Sequence, residues 1–134
     1  MSKINIGQTA SMSKTISEKD VFQFADLVQD HNPVHIDKEF AKNTFFGKRI
    51  VHGMLGSSLI SAVLGTKLPG HGAIYLSQTL QFLAPVFIGD TITAEVKVIK
   101  IRVDKPIITM ETSCMKQTGE MVLKGEAVLK SLDN

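Results

Sequence analysis

The chain has 134 residues, 43% hydrophobic and 21% charged, with a net charge of +2. This length suits one domain around one core. The near balance of charge, with no basic block, gives no case for nucleic acid as a partner. The single cysteine, Cys114, excludes an internal disulfide and fits a reducing, cytoplasmic compartment. It lies in a strand-like run, which predicts a buried and inert thiol. Met1 to Lys14 is polar and lacks the apolar stretch of a secretion signal. The most apolar segment, Ile50 to Leu64, contains His52, glycines and serines. It falls short of the roughly 20 apolar residues that span a bilayer, so no membrane partner is expected.

Thr9 to Ile16 reads as a short strand. Ser17-Glu18-Lys19-Asp20 has the pattern of a capping box. Val21, Phe24, Ala25 and Val28 then recur at helical spacing, predicting a helix to about Gln29. Pro33 restricts Asn32 to extended backbone and opposes continuation of that helix. Asp30 to Arg49 is polar and irregular, with a short helix expected around Asp37 to Lys42. A connection this long is often functional. Ile50 to Thr66 reads as an apolar helix whose small residues suit burial against a curved sheet. Ala73 to Leu83, Asp90 to Val103, Pro106 to Lys116 and Glu120 to Lys130 are rich in Thr, Val and Ile with partial alternation, the pattern of strands. Asp104-Lys105-Pro106 and Gln117-Thr118-Gly119 read as hairpin turns. One apolar helix followed by a run of antiparallel strands predicts an α+β layer, a sheet wrapped around a central helix.

The stretch Asp30-His31-Asn32-Pro33-Val34-His35 carries the chemistry. A carboxylate and an imidazole held on one turn can position a water and shuttle its protons. His31 and His35 also raise a metal reading with Asp30 or Asp37, but Pro33 breaks the helix that four-residue spacing would need. Further on, Ile50-Val51-His52-Gly53-Met54 opens the apolar helix. A glycine there offers an exposed N–H at the positive end of the helix dipole. Ser57 and Ser61 follow Gly53 on the same helical face. His71, in a Pro-Gly-His-Gly loop, reads as solvated.

The stretch reads D-x-N-P-[LIV]-H, with Ala41 six places after His35. It closely resembles the signature of the MaoC-like R-specific enoyl-CoA hydratases, whose domains have the hot-dog fold. V-H-G at Val51 to Gly53 and F-x-x-P-V-x-x-G-D at Phe82 to Asp90 extend the resemblance, as do Leu68-Pro69-Gly70, Gly72 to Leu76, Glu111, Gly125 and Ala127. It covers nearly the whole chain, so residues 1–134 are expected to form one hot-dog domain. The resemblance implies syn addition of water to a trans-2-enoyl-CoA, giving an R-3-hydroxyacyl-CoA. It implies Asp30 and His35 as the catalytic pair and the Gly53 N–H as the oxyanion hole. Asn32, Ser61 and His52 would serve at the substrate site, with His52 chiefly supporting the turn. No metal or redox cofactor is implied, coenzyme A being part of the substrate. The family pairs two hot dogs into a homodimer with a continuous sheet. Leu64, Leu68 and Leu83 are candidates for the acyl tunnel.

Three residues depart from the family pattern. Small residues usually precede the motif aspartate, whereas Val28 and Gln29 stand here, and His31 occupies a place often bulky or aromatic. The alternative readings are a dehydratase acting on acyl carrier protein thioesters and a non-catalytic acyl-CoA-binding protein. A thioesterase on the same fold would not need this turn.

Overall fold

The computed structural model describes residues 3–131, so the first two and last three positions of the expected domain lie outside the described residues. β1 (Thr9–Thr15) leads into α1 (Glu18–Val28), and two short helices follow, α2 (Pro33–Ile36) and α3 (Lys38–Lys42). α4 (Gly53–Thr66) precedes β2 (Ile74–Gln78), β3 (Gln81–Phe82), β4 (Thr91–Ile101), β5 (Ile107–Lys116) and β6 (Met121–Lys130). The sheet is six-stranded and antiparallel in the order β1-β4-β5-β6-β2, with β3 also on β6. α4 packs against β4, β5 and β1. This is the hot-dog arrangement, one helix wrapped by one curved sheet.

The inward face follows from period-two alternation. On β4, Ile92, Ala94, Val96 and Val98 are buried, and on β5, Ile108, Met110, Thr112 and Cys114. Ala94 pairs with Cys114 and Cys114 with Leu123, so adjacent strands present their buried residues together. α4 meets this face with Leu55, Leu59, Ile60, Val63 and Leu64. Each such buried aliphatic contributes about 1.5–3 kcal/mol of transfer free energy. Cys114 is wholly buried with Sγ 3.6 Å from the Gly56 carbonyl, and burial pushes its thiol up to about 12. The inert thiol expected from its strand context is what is found. No described helix is long and apolar enough to cross a membrane.

Three expectations need correction. The apolar helix begins at Gly53, not Ile50. Ile50 instead bridges Phe87, and the Val51 N–H donates to Val86 at 2.7 Å, so this segment is spent on strand-like pairing. Residues 33–36, expected to be irregular, form α2, which Pro33 opens because its missing N–H costs nothing in a first turn. The run from Ala73 to Leu83 is two strands, β2 and β3, along one edge of β6, because the regular pairing breaks at Thr79 and Leu80, where the Thr79 carbonyl folds over Gly125. A Cβ at Gly125 would lie 1.8 Å from the Thr79 carbonyl oxygen, so only glycine admits that close approach.

Candidate active site

The site begins where α1 stops. Ser17 and Asp20 form the expected capping box at its start. At its end Gln29 adopts the left-handed conformation, φ 64°, and the Asp30 N–H closes back on the Ala25 carbonyl at 3.1 Å. This turn carries Asp30 off the helix axis. Its Oδ1 accepts the Asn32 N–H at 3.2 Å, and the Asn32 side chain caps α2 by accepting from Val34 at 3.3 Å. α2 then aims His35 inward, where it is buried.

The tautomer of His35 is set by its surroundings. Its Nδ1 lies 2.7 Å from the Ile50 carbonyl oxygen. A carbonyl only accepts, so Nδ1 carries the hydrogen and the neutral ring keeps its lone pair on Nε2. His52, on the residue before α4, is buried as well. Its Nε2–H donates to the Asp30 backbone carbonyl at 3.0 Å, leaving Nδ1 buried and without a partner among the described residues. Burial holds His52 below the usual histidine range, opposed by the hydrogen bond to the Asp30 carbonyl. The ring of His52 stacks on His35 and meets Phe24 edge-on, with centroids 3.9 Å and 5.0 Å away. His52 is thus a support between the two halves of the site.

Gly53 opens α4, and its N–H has no partner among the described residues. A Cβ there would lie 2.7 Å from Cε1 of Phe82, so the aromatic ring sits directly over the glycine. Asp30, His35, His52, Gly53, Met54 and Phe82 line one cavity of about 540 Å³, closed further by Phe46 and the 82–85 segment. A carboxylate oxygen of Asp30 and a nitrogen of each histidine lie within 4.8 Å of one another. Two hydrogen bonds of about 2.8 Å meeting at a tetrahedral water span about 4.6 Å, so the spacing admits one bridging water.

These three groups are a poor cradle for a metal. Imidazole lone pairs lie in the ring plane, and the two rings are stacked within 28° of parallel. Their lone pairs run side by side rather than converging on one ion. His31 lies apart, paired with Asp26 at 2.9 Å on the surface.

Other candidates fall elsewhere. Ser61 and Ser57 line an adjoining cavity of about 360 Å³ between α4 and β2, which meets the first only at Met54. Asn32 is exposed and holds the turn through backbone contacts. Leu64 and Leu68 are core residues, while Leu83 lines the site cavity. His71 is exposed, as expected. Sequence reasoning missed Phe82, Phe46 and Met54 as walls. Phe82 belongs to the F-x-x-P-V element, which the sequence offered only as part of the family resemblance.

The chain is 51% identical to an (R)-specific enoyl-CoA hydratase of Rhodospirillum rubrum, over 94% of this chain and 87% of the relative. It is 50% identical to the (R)-specific enoyl-CoA hydratase of Aeromonas caviae, over 95% of each. Among solved structures, an (R)-hydratase from A. caviae involved in PHA biosynthesis superposes with a TM-score of 0.94 at 48% identity, covering 97% of this chain and 98% of that one. Residues 2–119 match the family model of the MaoC like domain. Sequence signature, hot-dog architecture and relatives of nearly equal length agree, and the chain belongs to the MaoC-like domain family.

Proposed function

We propose that this protein hydrates trans-2-enoyl-CoA to R-3-hydroxyacyl-CoA, and dehydrates the product when run in reverse. The observation that carries the reading is the meeting of Asp30, His35 and the Gly53 N–H at one cavity. A water held between the Asp30 carboxylate and His35 Nε2 adds its hydroxyl to C3. The proton it gives up is returned by the pair to C2 on the same face, so the net change is the addition of one water. Asp30 and His35 act as a coupled unit in this transfer. As C2 and the thioester develop enolate character, the oxygen gathers charge and the Gly53 N–H at the helix start stabilises it. Hydration leaves the overall oxidation state unchanged, so no redox cofactor is called for, and coenzyme A enters as part of the substrate.

We infer a homodimer. β2 is one of the two edge strands of the sheet, β1 being the other. Its Ile74, Tyr75 and Leu76 are 49%, 41% and 51% exposed, an apolar edge of the kind that invites pairing. A second copy pairing there about a two-fold axis would cover the β2 edge of each copy and join the two into one continuous sheet. A cytoplasmic setting is consistent with the lone reduced cysteine.

The experiment is loss of the enoyl absorbance of crotonyl-CoA, with the product offered to R- and S-specific hydroxyacyl dehydrogenases. Hydration with oxidation by the R-specific enzyme alone is expected. No hydration would leave an acyl-CoA-binding protein, and an S product would overturn the syn geometry. Running crotonyl-acyl carrier protein beside crotonyl-CoA decides the carrier.

A further inference from the structure

A second cavity of about 540 Å³ lies behind the segment that walls the active site, among Lys38, Glu39, Lys42, Lys48 and Arg49. Phe46 and Ile50 line the active-site cavity, and Gly47, Lys48 and Arg49 between them line this one. Four cations therefore face one carboxylate, a few residues from the thioester site. Arg49 is committed to Glu18 at 2.6 Å. Lys38, Lys42 and Lys48 have no ion pair among the described residues. Lys38 and Lys42 are one helical turn apart, a like-charge spacing that weakens α3 slightly unless an anion lies between them. Lys48 Nζ is held over the Phe87 ring, 4.3 Å from its centroid, which fixes that charge at the cavity. Three residues before Lys48 in the chain, Phe45 is wholly exposed, its ring edge-on at 5.7 Å to Phe46 of the active-site wall.

We propose that this cavity receives the nucleotide end of coenzyme A, its phosphates on Lys38, Lys42 and Lys48 and its adenine on the face of Phe45. The inference rests on the hydratase reading given above. Clustered lysines match the negative charge of phosphates, and an uncovered aromatic face matches a purine. A concave pocket suits a small ligand better than the broad surface of an acidic carrier protein. The acyl end would then lie at Gly53, with the pantetheine arm crossing the 46–47 segment between the two cavities.

The test compares crotonyl-CoA with crotonyl-pantetheine, which lacks the nucleotide. In a Lys38→Ala/Lys42→Ala/Lys48→Ala variant, KM for crotonyl-CoA should rise about tenfold, as for three weak ion pairs, with kcat kept. KM for crotonyl-pantetheine should not move. Adenosine 3′,5′-bisphosphate should compete with crotonyl-CoA in the parent and fail in the triple variant. Phe45→Ala should weaken that competition, and Glu39→Gln should strengthen it. All these side chains are exposed, and a thermal melt checks that each variant folds. Equal effects on both substrates, or none on either, would overturn the proposal. Loss confined to crotonyl-acyl carrier protein would assign the patch to a carrier protein instead. A parent that hydrates neither thioester defeats the hydratase reading itself, a different outcome from a parent that works and variants that do not discriminate.

Discussion

The imidazole of His52 lies stacked on that of His35, with centroids 3.9 Å apart and planes 28° from parallel. Two stacked imidazoles cannot both take a proton without strong repulsion. Burial keeps His52 below its ordinary value of 6.5, so its ring stays neutral at neutral pH. The same His52 donates to the backbone of Asp30. One neutral ring thus fixes both members of the candidate pair.

His52→Phe should retain the stacking but lose the hydrogen bond to Asp30. A lost bond of about 1–2 kcal/mol predicts roughly a tenfold fall in kcat with KM little changed. Acid stability should change as well. The unfolded histidine takes up a proton near pH 6.5 while the folded one resists, so this contribution is complete above that pH and is lost as the pH falls below it. Thermal melts at pH 7.5 and 5.5 should show a larger loss in the parent than in His52→Phe. Parallel losses would mean that His52 does not titrate in this way.

Asp30→Asn and His35→Gln should each lower kcat by at least ~100-fold, the scale of positioned acid–base catalysis. The double variant should be little worse than the worse single one, since groups acting together are not additive. Asp30 sits on an exposed turn, so its variant should fold normally. His35 is buried, and its variant also gives up the bond to Ile50, so a lower melting temperature is expected there. Near-normal turnover in either folded variant would remove that residue from the mechanism.

Gly53→Pro removes the N–H, and the preceding residue already has the φ of −54° and ψ of 132° that a following proline requires. A folded protein with a barrier raised by ~3 kcal/mol is expected. Gly53→Ala keeps the N–H but drives a Cβ against the Phe82 ring. That ring is half-exposed and can swing aside, so Gly53→Ala should chiefly raise KM, and adding Phe82→Ala should relieve it. Steady-state kinetics on the three variants separate the donor from the crowding. Parent turnover in Gly53→Pro would place the thioester oxygen elsewhere.

Gln29 is the one non-glycine residue with positive φ among those described, and it adjoins Asp30. A side chain in this conformation costs about 1–2 kcal/mol, part of which glycine would offset. Gln29→Gly should therefore raise the melting temperature by a few degrees without lowering kcat. Destabilisation would mean that the Gln29 side chain makes a compensating interaction.

Most of the fold was legible in the chain, because its signals are local. The capping box at Ser17, the alternation along Ile92 to Val98, the turn before Pro106 and the apolar periodicity of Leu55 to Leu64 each specify an element from neighbouring residues. The D-x-N-P-V-H stretch likewise marked where the candidate chemistry lies. The helix start and the split of the run from Ala73 to Leu83 were not legible. Both depend on pairing with distant strands, Val51 with Val86 and Thr79 with Glu126. The oddity of Gln29 could be noticed in the sequence, but only its backbone angle gives the reason, a left-handed turn that a small residue enters more readily. The sequence also determined that His35 and His52 were present and polar. Only the tertiary structure decided that they stack, that the carbonyls of Ile50 and Asp30 select their tautomers, and that Phe82 covers Gly53. Those contacts join residues far apart in the chain, so their geometry exists only once the sheet has closed around α4.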